Sequence, residues 1–135
     1  MGHWSEKFLD LGYERGGQGP TRYDCWGYLR HVQKAQFGIE IPYMPTPKSI
    51  GAIVRTMEPW ARQFGWERVE MPTNGDVVFL STFRDPTHVG IYVGDLKKPA
   101  VLHCPEGGAA LHTFGHLTQL RWRLRGYFHF VGMPG

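Results

Sequence analysis

From Val77 onward the chain is built of short apolar segments set too close together to hold helices between them. Val77-Val78-Phe79-Leu80, Val89-Gly90-Ile91-Tyr92-Val93, Ala100-Val101-Leu102-His103, Ala110-Leu111-His112-Thr113 and Tyr127-Phe128-His129-Phe130-Val131 are separated by turn residues and read as strands. Leu80 and Val89 are bridged by a stretch containing Arg84-Asp85-Pro86, which suits an antiparallel hairpin and leaves no space for a crossover helix. This half should therefore fold as an antiparallel meander.

The first half carries the helical signals. Gly12-Tyr13-Glu14-Arg15-Gly16-Gly17-Gln18-Gly19-Pro20 is too rich in glycine for regular structure and reads as a surface loop. After it, Asp24 is a good N-cap, Trp26, Leu29, Val32 and Gln36 recur at helical spacing, and Gly38 is placed to end the helix, with Pro42 beyond. Residues 39–47 hold three prolines and read as extended; Ser49 caps a second helix through about Met57, with a kink or restart at Pro59 before Trp60 and Phe64. One helix packed on a central antiparallel sheet of about five or six strands is an α+β layout.

Composition agrees with one folded domain over residues 1–135: 41% hydrophobic, 14% aromatic and 20% charged is too apolar for disorder and too mixed for a coiled coil. No apolar run is long enough to cross a membrane and the N-terminus lacks the apolar core of an export signal, so neither membrane insertion nor self-directed export is expected. The net charge of +3 favours anionic polymers, nucleic acid or cell wall, without choosing between them. Arg121-Trp122-Arg123-Leu124-Arg125 interleaves basic and aromatic residues, but reads better as a strand with a solvated arginine face than as a nucleic-acid surface.

Cys25 follows the N-cap directly, so it sits in the first turn of a helix, where unpaired N–H groups and the macrodipole favour a thiolate. The competing reading is a small buried hydrophobe. His88 and His103 lie in strands that otherwise look like core; His88, Gly90 and Tyr92 share one face, and Gly90 clears space beside His88. Strand pairing would bring His103 alongside His88, where it fixes the imidazole tautomer, unless each histidine merely satisfies a core hydrogen bond. Cysteine, histidine and an orienting polar group are the minimal set for thiol acyl transfer. His112, His116 and Cys104 sketch an incomplete zinc site, and no metal or other cofactor is expected. Cys104 should point opposite to His103, away from the proposed site and from any disulfide with Cys25.

Taken in order, the Gly-Gly loop, Tyr23-Asp24-Cys25-Trp26-Gly27, Gly75-Asp76-Val77-Val78-Phe79, His88-Val89-Gly90-Ile91-Tyr92-Val93-Gly94-Asp95 and Val101-Leu102-His103 resemble the NlpC-type papain-like cysteine peptidases of bacterial cell-wall metabolism. The likeness runs from about Leu9 to about Thr113. It implies a papain-like fold with Cys25 as nucleophile, His88 as general base and later acid, His103 as the polar third member, and Tyr13 as a hydroxyl near the thiol that helps bind the oxyanion. Read without the likeness, Tyr13 is a packing residue on the loop, and Asp24 is a cap.

The implied activity is cleavage of an amide bond in peptidoglycan stem peptides, between D-glutamate and a diamino acid. Trp26 stands where many cell-wall members carry serine, which bears on the cleft beside the nucleophile. The wording Asp24-Cys25-Trp26-Gly27 in a stand-alone domain is most similar to phage and prophage tail-associated members, which implies tail-tip proteins as partners, a place in the virion tail and action at the wall. Segment 42–66 would then wall the cleft or contact a partner. Two other readings stay open: a tail-tip structural or plug protein with dispensable catalysis, and an amidase or acyl transferase on another substrate.

Overall fold

The computed structural model describes residues 2–41, 62, 64–83 and 88–132. A 3-10 turn (Trp4–Phe8) leads into β1 (Gly12–Tyr13) and β2 (Arg22–Tyr23), which pair in parallel, so the first two residues of the expected glycine-rich loop form a short strand instead. Helix α1 (Cys25–Phe37) follows. Strands β3 (Trp66–Val69), β4 (Val77–Ser81), β5 (His88–Val93), β6 (Ala100–His103) and β7 (Ala110–Thr113) come next, then α2 (Phe114–Gln119) and β8 (Arg123–Phe130). The main sheet is six-stranded, in the order β3-β8-β4-β5-β6-β7, with every pair antiparallel. The α+β architecture, with its leading helix against an antiparallel sheet, agrees with the expected papain-like layout. No helix among the described residues is long and apolar enough to cross a membrane.

The α1 boundaries follow from local chemistry. Asp24 Oδ1 accepts from the Gly27 N–H at 2.6 Å, and Gly38 ends the helix at φ 67°, a left-handed conformation that costs a glycine little. Trp26, Leu29 and Val32 form the buried stripe, packed with Val89, Ile91, Val93, Leu102 and Phe128 from one face of the sheet. Buried Gln33 adds a polar anchor, its Nε2 donating to the Gly75 carbonyl at 2.7 Å. The opposite face holds a smaller cluster of Val78, Leu80, Val101 and Leu117, with Trp122 packed against it.

Two elements differ from expectation. The apolar pattern through Phe64 gives way to a strand at Trp66, which pairs with β8, and the sequence after β7 turns into α2 with Thr113 as its cap. The helix expected over Ser49–Met57, the restart near Pro59 and most of segment 42–66 lie outside the described residues.

Candidate active site

Two structural arrangements position the start of α1. The glycine-rich loop folds back on it: the Asp24 N–H donates to the Gly17 carbonyl at 2.9 Å, and a Cβ on Gly27 would stand 2.4 Å from that same carbonyl oxygen. Tyr13 pairs in register with Tyr23, two residues ahead of Cys25, and both Tyr13 and Cys25 are half-buried against the core cluster shared by α1 and the sheet. Cys104 supplies the second anchor. Its buried Sγ lies 3.7 Å from the Tyr23 carbonyl oxygen and 3.6 Å from that of Gly12.

Cys104 directly follows His103, so the backbone entering α1 passes the end of the sheet where β6 finishes and β5 begins. His88 is the first residue of β5 and His103 the last of β6. The opposite orientations expected for His103 and Cys104 are present. Cys104 nevertheless underlies the approach to Cys25, contrary to the expectation that it lies away from the site. Neither cysteine is in a disulfide. Burial and then the nearby Asp24 carboxylate raise the Cys104 thiol to about 11, which holds it protonated at neutral pH.

His88 and His103 are both fully buried, and His88 Nε2 lies 2.7 Å from His103 Nδ1. They are diagonal neighbours, since His103 faces Gly90 in the register. A Cβ at Gly90 would come within 3.0 Å of the His103 Cβ and 2.5 Å of Val101 Cγ1, so glycine opens the path for the imidazole. A second diagonal continues outward: His112 faces Val101, and His103 Nε2 lies 2.8 Å from His112 Nδ1. Burial, followed by the charges of His88 and His112, lowers His103 to about 2, and burial and then His116 lower His112. His103 is therefore neutral, with one N–H to share between two contacts.

Trp122 covers this pair, its ring 4.5 Å from His88 and 5.9 Å from His103. The end of α2 delivers it: Arg121 takes φ 68°, the Arg121 N–H donates to Thr118 and the Trp122 N–H to Leu117, a Schellman closure with Trp122 and Leu117 in one apolar cluster. The aromatic of the basic-aromatic run thus faces the histidines, while Arg123 and Arg125 are exposed and the strand begins only at Arg123. Trp26, expected to bear on the cleft beside the nucleophile, is turned into the core, where its ring lies 6.2 Å from that of Phe79. The sketched zinc set is not assembled around Cys104, which sits on the α1 side of the sheet while His112 joins His103.

Sequence reasoning passed over the parts played by His112, Trp122 and Asp76. The signal for His112 was its parity, two residues beyond Ala110, the partner of His103. Asp76 is a structural clamp. Its carboxylate accepts from the Thr73 N–H at 2.7 Å and bonds His129 Nδ1 at 2.6 Å, fastening the start of β4 to β8.

The model of the NlpC/P60 family matches residues 11–117. Proteins named probable endopeptidase p60 are similar to the chain: that of Listeria monocytogenes is 34% identical over 67% of this chain and 16% of its own length, that of Listeria innocua 33% over 67% and 17%, and that of Listeria seeligeri 33% over 67% and 15%. The chain thus spans about a sixth of the length of the curated relatives it matches.

Proposed function

The chain belongs to the NlpC/P60 family, and from that premise we propose that it is a cysteine peptidase that hydrolyses an amide bond in peptidoglycan stem peptides. The observation that carries the reading is the buried His88–His103 pair, bonded at 2.7 Å at the sheet end where the backbone enters the helix headed by Cys25. In this mechanism His88 Nδ1 takes the Cys25 thiol proton, and the thiolate attacks the scissile carbonyl carbon. The amine leaves with the proton from His88. Water, deprotonated by His88, then cleaves the thioester to release the acid and restore the thiol. His103 holds the His88 ring in place through Nε2. The Tyr13 hydroxyl and the Cys25 N–H donate to the tetrahedral oxyanion, each contributing about 3 kcal/mol when well placed.

The bond cleaved, on this reading, joins D-glutamate to a diamino acid, and the enzyme acts from a phage or prophage tail tip; support for the tail placement is the wording Asp24-Cys25-Trp26-Gly27 alone. Purified protein incubated with cross-linked wall or a free stem peptide should release fragments whose masses identify the bond, and Cys25→Ala should abolish release. Equal release by that variant would overturn the reading. A thiol probe at pH 6–7 should modify Cys25 quickly and leave Cys104, buried and protonated, unmodified until the chain is unfolded. Slow labelling at Cys25 would favour a binding role over catalysis.

A further inference from the structure

The histidine contacts do not stop at the pair. His103 is fully buried, and both its ring nitrogens lie within 2.8 Å of another imidazole, His88 on one side and His112 on the other. His112 is half-buried, and its ring lies 4.5 Å from that of exposed His116 on α2. Four histidines thus run from the interior to solvent across β5, β6, β7 and the first turn of α2.

A neutral imidazole bonded at both nitrogens donates with one and accepts with the other, so the proton order along this row has a direction. We propose that His112 is a positioning residue that sets that direction: its Nδ1 accepts from the Nε2–H of His103, whose Nδ1 accepts from the Nε2–H of His88, which puts the basic lone pair of His88 on Nδ1. The proposal rests on the assignment of Cys25 and His88 as nucleophile and base. In the reverse order His103 donates to His88 Nε2, neutral His88 carries its proton on Nδ1, and the ring is an acid where a base is needed.

The outer end of the row meets water, which makes the order sensitive to protonation there. Among the described residues, the titratable groups that face His112 are His103 from β6 and His116 from α2. A proton on His112 places an N–H at Nδ1, opposed to the Nε2–H of His103, and the row must reverse. Activity should therefore fall on the acid side as His112 titrates, below the ordinary histidine value because burial and His116 lower it.

The test combines a spectrum with two variants. Nitrogen-15 NMR of the wild-type histidines near neutral pH should show His103 protonated at Nε2 and bare at Nδ1; the opposite tautomer would overturn the proposal. His112→Gln offers a carbonyl acceptor that does not titrate, so kcat should stay within about threefold of wild type and the acid limb should move to lower pH. His112→Phe keeps a ring but no acceptor; kcat on a stem peptide should drop about ten- to hundredfold, the size seen when metal-ligating imidazoles lose their outer partners, with KM little changed. Wild-type kcat and acid limb in His112→Phe would sink the inference even where Cys25→Ala is inert. Failure of the parent reading shows separately, as an active Cys25→Ala. If His112→Phe does not fold, the spectrum and the glutamine variant decide the matter.

Discussion

Gly90 faces His103 across the β5–β6 pair, and the missing side chain is what lets imidazoles on two strands meet. His88 and His103 are two residues out of direct register, a separation a histidine spans only if nothing stands between. Gly90→Ala puts a methyl 2.5 Å from Val101 and 3.0 Å from the His103 Cβ, both in a closed core that relaxes poorly. The expected cost is about 1–3 kcal/mol of stability by urea denaturation. The wall-releasing activity proposed for the chain should fall further than the folded fraction does, because the His88–His103 bond is lost first. Activity that simply tracks folded protein would show that the pair tolerates displacement. The same logic explains Trp122: an indole over two bonded imidazoles excludes water, and a hydrogen bond out of water is electrostatically stronger.

At the scale of elements, α1 is held at its start by the Asp24 cap and by the Gly17 carbonyl of the glycine-rich loop. Asp24 accepts from Gly27 at 2.6 Å, so Asp24→Ala should cost about 1 kcal/mol, whereas Asp24→Asn, which caps equally well, should be close to neutral in thermal unfolding. Equal losses in both variants would mean that the carboxylate charge matters more than the cap. This helix was legible in the sequence because its signals are local: Asp24, the apolar stripe and Gly38 all lie within one stretch of chain. Strands β4 to β7 were legible for a similar reason, as only a few residues separate each strand from the next. Strand β3 was not, because Trp66-Glu67-Arg68-Val69 has two exposed charged residues at its centre and owes its state to pairing with β8, far along the chain. The six-residue α2 is too short to show a helical period, and only Thr113 announces it. The candidate site divides the same way. The proposed Cys25, His88 and His103 rest on position and parity together with a family likeness, whereas the His103–His112 contact comes through a diagonal register that no local pattern encodes.

Across the whole molecule, the sheet separates two packed faces, with α1 on one and α2 on the other, and a buried neutral histidine carries a consequence for the fold as a unit. Folded His103 is lowered to about 2, while the unfolded chain takes up a proton there below the ordinary value of 6.5. Between those limits the unfolded state binds more protons, so stability is intact above about pH 6.5 and is lost as pH falls. The loss approaches about 1.4 kcal/mol for each pH unit. His103→Asn keeps a polar side chain at the position and removes the titration. Urea denaturation at pH 6.5 and pH 4.5 should therefore show wild type losing about 2.3 kcal/mol more than this variant over the two units. Should both proteins lose stability equally, His103 is not the group that sensitises the fold to acid. A difference of the expected size would tie acid sensitivity to the same burial that keeps His103 a neutral partner for His88, so that relieving one would forfeit the other.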